Sequence, residues 1–331
     1  MKIKFLPFQS HCFAFGGFEI QMLATFDALD ALGASVSKMD VWSRDQDFEI
    51  LHCWGLDIGN YENIKWAKKS GKKVVVTALL GYYETLKEKA RFLISSIMYK
   101  QRIIIEMLEN IDAIVVLNDL QAEVLKKNYN LPDSKIFIIP NIVGEIFFEK
   151  RLQSSDNGYV LTVGNVCARK NQILLAKACQ ALNLPLVIIG KMMSGEEKYG
   201  EELEKMVTNS GGLINWINGL KENSDELVDY FLNCKMFALP SHAEQQPISI
   251  LEASVLGKPI LTSDLAFGRQ IYYHNSMLVN PSDYNSILNG LKLITYFKGE
   301  ANIPSFDKVR ECSSQYVADS YLNVYNSVIQ L

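Results

Sequence analysis

Short apolar runs alternate with longer amphipathic stretches along the chain, which is the pattern of strands alternating with helices. Lys2–Leu6 reads as a first strand, and Phe18–Leu32 carries apolar residues at helical spacing before a stop at Gly33. Phe48–Cys53 is a short strand, Lys65–Ser70 ends a helix that Gly71 terminates, and Lys73–Thr77 is a β-branched strand. A long helical stretch, Tyr83 to Asn110, is followed by strand Ala113–Leu117, helix Asp119–Asn128 and strand Lys135–Pro140. This rhythm predicts a parallel sheet with helices on both faces.

The stretch Val143–Gly158 breaks the rhythm, ending in a polar, turn-rich run from Gln153 to Gly158 that reads as a linker. Alternation then resumes with strand Tyr159–Val163, helix Gln172–Leu182 and strand Leu186–Ile189. Helix Glu196–Asn209, strand Leu213–Ile217 and helix Ser224–Asn233 follow, then Met236–Leu239, Ile248–Leu256 and Pro259–Thr262 as strand, helix and strand. The expected fold is α/β. A first Rossmann-like domain covers 1–145, a linker 146–158 and a second Rossmann-like domain 159–308. A helical segment over 309–331 is expected to cross back onto the first domain. Ligands bind at the carboxyl ends of such strands, so both domains are expected to face one central cleft.

Composition narrows the classes. The 331 residues suit two domains, and 48% hydrophobic with 21% charged residues excludes a disordered chain. With 33 Lys+Arg against 37 Asp+Glu the charge is −4, which gives no footprint for nucleic acid. Six cysteines, at 12, 53, 167, 179, 234 and 312, include no Cys-x-x-Cys pair. Free thiols match a reducing cytoplasm, the expected location. The start, Met1 to Phe8, has only a short apolar stretch broken by Pro7 and does not read as a signal peptide. No histidine pair has helical metal-ligand spacing, so no metal is expected.

Candidate chemistry gathers in the second half. Leu239-Pro240-Ser241-His242-Ala243-Glu244 runs from a strand end into a loop, then through Gln245-Gln246-Pro247-Ile248-Ser249 into a helix that carries Glu252 and stops at Gly257-Lys258-Pro259. A helix start offers unpaired N–H groups and a positive dipole end to a phosphate. A carboxylate two turns along can accept hydrogen bonds from two sugar hydroxyls. Taken by themselves, Glu244 and Glu252 read more readily as solvated charges on a surface helix.

The whole string resembles the signature of glycosyltransferase family 4, with two glutamates separated by seven residues and a Gly-Lys-Pro stop. Other segments look like the same family in the expected order: Gly16-Gly17-Phe18-Glu19, the strand and turn from Lys135 to Asn141, and Val163-Gly164-Asn165 through Arg169-Lys170-Asn171. The resemblance implies a GT-B fold and transfer of a hexosyl or N-acetylhexosaminyl unit from a UDP- or GDP-linked donor, with retained configuration and no metal or cofactor. By matching position it implies that Glu252 holds the ribose, Glu244 meets the donor sugar and Lys170 neutralises the diphosphate, with Arg169 beside it. Gly164, Asn165, Gln245, Gln246, Pro247, Ile248 and Ser249 would line the donor site, and Gly16 and Gly17 would let the first-domain backbone approach the phosphate. The resemblance further implies that the second domain binds the donor nucleotide and the first domain the acceptor, which would be a glycan or lipid-linked oligosaccharide in cell-surface polysaccharide synthesis (lipopolysaccharide, O-antigen or capsule).

Three positions depart from the family pattern. Asn165 stands where an arginine is usual, and Leu79 where a histidine is common near the reacting centre. Gln245-Gln246-Pro247 replaces a glycine-bearing loop. Tyr82, Tyr83 or His52 could take over the role missing at Leu79; His52 reads equally as a satisfied core histidine. A same-fold epimerase or hydrolase, or a non-catalytic binding subunit, are the alternative readings. Finally, 86–107 mixes Phe92, Ile94, Ile97 and Ile103–Ile105 with Lys87, Lys89, Arg91, Lys100 and Arg102. Such a helix can touch the cytoplasmic face of an anionic inner membrane, or can pack on its own sheet.

Overall fold

The computed structural model describes residues 1–13, 16–81, 99–151, 158–296 and 302–330. The chain divides into two compact units, one of Met1–Ile142 with Ser314–Leu331, the other of Val143–Ser313.

The first unit is built on six parallel strands: β1 Lys2–Pro7, β2 Ser35–Lys38, β3 Ile50–Trp54, β4 Lys73–Thr77, β5 Ala113–Val116 and β6 Ile136–Ile138. Their order is β2-β1-β3-β4-β5-β6. Helices α1 (Gly17–Ala31), α2 (Tyr61–Lys69), α3 (Tyr99–Glu109) and α4 (Asp119–Tyr129) connect them. The central strands are buried on both faces, as helix-covered parallel strands must be. Residue alternation splits β3 between two cores. Ile50 and Trp54 pack with α1 and the C-terminal helix, while Leu51 and Cys53 pack on the opposite face with Ile103, Met107 and Leu108 of α3.

The second unit opens with α5 (Glu145–Glu149) and holds six parallel strands: β7 Val160–Val163, β8 Leu186–Ile189, β9 Ile214–Ile217, β10 Met236–Leu239, β11 Ile260–Ser263 and β12 Met277–Val279. Their order is β12-β11-β10-β7-β8-β9. Connecting helices are α6 (Gln172–Ala181), α7 (Glu197–Asn209), α8 (Asp225–Asn233), α9 (Ile248–Val255) and α10 (Tyr284–Tyr296). Strand order reverses between β7 and β10, the place where doubly wound sheets leave a crevice at the carboxyl ends of their strands.

Several expectations are corrected. Strands β2 and β12 are not among the expected elements: β2 is Ser-Val-Ser-Lys at one sheet edge, mostly exposed, and so lacks the pattern that burial imposes, while β12 is an apolar run of only three residues, Met-Leu-Val, at the edge of the other sheet. The segment 146–158 is not a linker throughout, because Phe147 of α5 is fully buried edge-on against Phe231, 5.5 Å between centroids. Crossing back to the first unit starts at Ser314 rather than 309. Val309, in the short helix α11 (Phe306–Val309), and Cys312 are fully buried within the second unit. The final helix α12 (Ser314–Gln330) then buries Val317, Ala318, Tyr321, Val324, Tyr325 and Val328, spaced by three or four residues, against the first sheet. Of the segment 86–107, residues 86–98 lie outside the described residues. In the rest, Ile103 and Met107 pack on the first unit's sheet.

Candidate active site

The site of the second unit forms where the loops after β7 and β10 meet. Oε1 of Glu244 lies 2.8 Å from Nζ of Lys170 and 2.7 Å from Nη1 of Arg169. Glu244 and Lys170 keep only 10% and 11% of their side-chain surface exposed, whereas Arg169 keeps 44%. A charge so desolvated needs its partners, so the three side chains hold one another in place. The loops are also tied through the backbone. His242 N–H donates to the Arg169 carbonyl at 2.8 Å, and Arg169 Nη1 donates to the Ala243 carbonyl at 2.5 Å.

Gly164, at the end of β7, takes φ +143°, and a Cβ there would sit 3.1 Å from Nζ and Cε of Lys170. Glycine is what lets the lysine lie across the strand end toward Glu244. Asn165 is exposed and brings no charge. Asn171, at φ 62°, turns the chain into α6 and donates from Nδ2 to the carbonyls of Pro240 (3.1 Å) and Pro281 (2.8 Å).

Helix α9 begins at Pro247, whose fixed φ suits a helix start and which offers no side-chain cap. Ile250 N–H bonds to the Pro247 carbonyl at 3.1 Å, while the Ile248 and Ser249 N–H groups bond to no described residue. They form an uncapped, positive end suited to an anion. Gln245 and Gln246 do not reach outward as a pair. Gln246 is buried and donates to Gln270 Oε1 at 3.4 Å, and Gln270 Nε2 donates to the Gln245 carbonyl. They brace the loop.

Glu252, one turn into α9, is buried, and no described residue hydrogen-bonds or ion-pairs with its carboxylate. Burial, with the Glu222 carboxylate adding to it, pushes the Glu252 pKa up to about 8. A buried, unpartnered carboxyl is costly and is the mark of a group set to receive a ligand. The Gly257-Lys258-Pro259 stop has a different purpose: buried Lys258 donates to the Leu232 (2.6 Å) and Cys234 (2.9 Å) carbonyls, closing the C-terminal end of α8.

In the first unit the expectations fare differently. Gly16 caps α1 in extended geometry (φ −156°), and its N–H donates to Glu19 Oε2 at 2.9 Å. A Cβ would meet only Glu19 at an ordinary 3.7 Å, so the fold itself does not demand glycine there. Gly17 is the first residue of α1 and is exposed. His52 is not at a cleft edge. It is fully buried, with Nδ1 2.7 Å from Tyr325 Oη and Nε2 2.8 Å from Thr77 Oγ1. Its even-numbered place on β3 points it into the α1–α12 face, and burial drives its pKa down to about 3. It is a structural histidine. Leu79 is exposed, while Tyr82 and Tyr83 lie outside the described residues.

Residues missed by sequence reasoning are Asn171, Gln270 and Gly190. A Cβ on Gly190 would stand 2.0 Å from the Gly164 carbonyl oxygen. The asparagine that ends a short Arg-Lys turn was a readable signal for a left-handed residue. The other two depend on distant partners.

Two parallel-sheet Rossmann-like units, the second with cations and an uncapped helix at its switch point, define a protein of GT-B architecture. Residues 144–295, which fall in the second unit, match the family model of Glycosyl transferases group 1. The chain is 24% identical over 226 residues to an uncharacterized glycosyltransferase of Haemophilus influenzae, an alignment covering 66% of this chain and 61% of that protein. It is 24% identical over 308 residues to an Escherichia coli UDP-Gal:alpha-D-GlcNAc-diphosphoundecaprenol alpha-1,3-galactosyltransferase, covering 86% and 73%. Among solved structures, Anabaena HepE in complex with UDP superposes with TM-score 0.73 at 15% identity, each chain covered completely. Among the described residues no helix is long and apolar enough to cross a membrane.

Proposed function

We propose that this protein is a retaining, metal-independent glycosyltransferase that moves a hexosyl or N-acetylhexosaminyl unit from a UDP- or GDP-linked donor to a glycan or lipid-linked oligosaccharide of a cell-surface polysaccharide. It acts in the cytoplasm, at the inner face of the membrane that holds its acceptor. The observation that carries this reading is the Glu244–Lys170–Arg169 group at the β7/β10 switch point, beside the uncapped start of α9.

The chemistry follows from charge. As the anomeric C–O bond breaks, its electron pair goes to the diphosphate and positive charge grows on the sugar ring. Lys170, Arg169 and the Ile248 and Ser249 N–H groups stabilise the departing anion. The acceptor hydroxyl then bonds to the anomeric carbon and gives its proton to an oxygen of the departing diphosphate, which has gained the electron pair of the broken bond. Glu244, released from its cations as the diphosphate engages them, meets the donor sugar. Glu252 takes the two ribose hydroxyls, which supply the hydrogen bonds its carboxylate lacks. Lipid-linked acceptors are supported by the Escherichia coli relative, whose named substrate is a diphosphoundecaprenol, and a UDP donor by the HepE complex.

The test is a panel of UDP- and GDP-linked sugars, with and without acceptor glycans, followed by mass spectrometry of released nucleotide and NMR of the product's anomeric configuration. Transfer from one donor class with retained configuration is the expected result. Nucleotide binding and release by none of the donors would sink the proposal.

A further inference from the structure

The first unit holds a cavity that the reading above leaves unused. It has a volume of about 230 Å³ and lies between α1 and the carboxyl ends of β1 and β2. Its walls are Phe5 and Pro7 of β1, Met22, Leu23 and Phe26 of α1, and Met39 just after β2. Among the described residues, two polar side chains line it, Lys38 and His11. Leu23 and Phe26 are half-buried, so a helix face that would be closed by core elsewhere is open to the cavity.

Three features say what fits. First, the walls are aromatic, thioether and aliphatic, with no ring of donors and acceptors of the kind a sugar or base needs. Second, Lys38 lies over the Phe26 ring, 5.8 Å from its centroid, and no described carboxylate pairs with it. A cation is therefore held at an apolar wall, ready for an anion. Third, large apolar side chains stand free on the two loops that supply His11 and Met39. Phe13 is 88% exposed, Val41 69% and Trp42 91%. β1 and β2 are hydrogen-bonded neighbours, Phe5 opposite Lys38, so both loops leave the same end of the sheet. Aromatic side chains of this kind favour the boundary between water and lipid.

We propose that this cavity binds the lipid end of an isoprenoid-phosphate amphiphile. The branched hydrocarbon enters between α1 and β1, the phosphate pairs with Lys38, and Phe13, Val41 and Trp42 form an apolar rim along which the chain leaves toward the bilayer. The inference rests on the reading that the first unit takes the acceptor, and it assigns the acceptor's anchor, not its sugar, to this cavity. It is distinct from the donor site, which lies wholly on residues of the second unit.

Calorimetric titration of the full chain with farnesyl phosphate, a soluble short-chain probe, tests it. One-to-one binding is expected, weaker binding of farnesol and none of inorganic phosphate. Leu23→Trp, which fills the cavity, should weaken farnesyl phosphate by about tenfold or more, and Lys38→Gln by about threefold to tenfold, with UDP affinity unchanged in both. Lys38 is exposed, so its variant decides the matter should Leu23→Trp fail to fold. Absence of farnesyl phosphate binding, inorganic phosphate binding as tightly, or full affinity in both variants would overturn the proposal. A chain that binds farnesyl phosphate but no nucleotide would count against the donor reading alone.

Discussion

Lys170 and Glu244, seventy-four residues apart in the chain, meet at 2.8 Å between two nearly buried side chains, with Arg169 on the same carboxylate oxygen. The pair joins the two loops that flank the strand-order reversal of the second sheet, so each residue positions the other before any ligand arrives. Removing one leaves the other charged and desolvated. Lys170→Met is expected to lower kcat by about 10²- to 10³-fold, the scale of losing one preplaced stabiliser of a developing anion. Glu244→Gln should cost about 10²-fold in kcat with little change in nucleotide affinity, since the cations stay free for the diphosphate. Steady-state kinetics beside calorimetry with UDP and GDP separates the two effects. An unaltered kcat in both variants would remove this group from the chemistry.

The proposed contact of Glu252 with the ribose predicts that nucleotide binding is linked to a proton. In the free protein its carboxyl titrates near 8, because burial and the Glu222 charge favour the neutral form. Ribose hydroxyls donating to it favour the charged form, so binding at pH 7 is expected to release up to one proton and to tighten as pH rises toward 8. Calorimetry in buffers of different ionisation enthalpy reads the proton directly, and Glu252→Gln should abolish its release. The stability sign follows from the same shift. Between pH 4.5 and about 8 the folded chain binds a proton that the unfolded chain does not, so this group's contribution to stability is present below pH 4.5 and is lost as pH rises through 8. At pH 8.5, Glu252→Gln should be the more stable protein, by roughly 1–3 kcal/mol, on urea unfolding.

His52 contributes in the opposite direction. Its folded pKa near 3 lies below the ordinary 6.5, so in that window the unfolded chain takes up a proton that the folded chain refuses. The contribution is complete above pH 6.5 and declines as pH falls toward 3, by up to about 1.4 kcal/mol per pH unit. His52→Gln, which keeps a donor and an acceptor for Tyr325 and Thr77, should flatten the acid limb of a stability-against-pH curve. An unchanged acid limb would show that other groups govern it.

Gly190 gives a purely steric prediction. Its missing side chain lets β8 end 2.0 Å, counted from a would-be Cβ, from the Gly164 carbonyl, a backbone atom that cannot swing away. Gly190→Ala is expected to destabilise the second unit by ~2–3 kcal/mol and to move Gly164 beneath Lys170, weakening nucleotide binding together with thermal stability. Thermal scans with and without UDP check both consequences.

The strands that were readable in advance, such as Val74–Val76 and Ile114–Val116, are those that helices cover on both faces, since only full burial writes a continuous apolar run. Edge strand β2 lies half in water and writes none. The loop bearing Glu244 and the helix bearing Glu252 were legible as a local string because eight residues and a helical period bring them to one strand end. The ion pair with Lys170 was not legible as geometry. It depends on β7 and β10 being neighbours, which the chain order conceals. Gln245 and Gln246 carry the signal of exposed polar residues, and only the partner Gln270 turns them into a brace.

By itself the sequence determined the α/β alternation, the count of two units and the identity of the charged groups in the second, because periodicity and loop chemistry act over a few residues. Tertiary structure alone decided three things. It made His52 a core residue, since Tyr325 of α12, 273 residues later, closes over it. It fixed Lys258 as a cap for α8 rather than a surface charge. It also left the Glu252 carboxyl buried without a partner, while giving Glu244 two. Burial is a property of what the rest of the chain brings alongside, and desolvation, which follows burial, sets which ionisable groups are anchored and which stay available to a ligand.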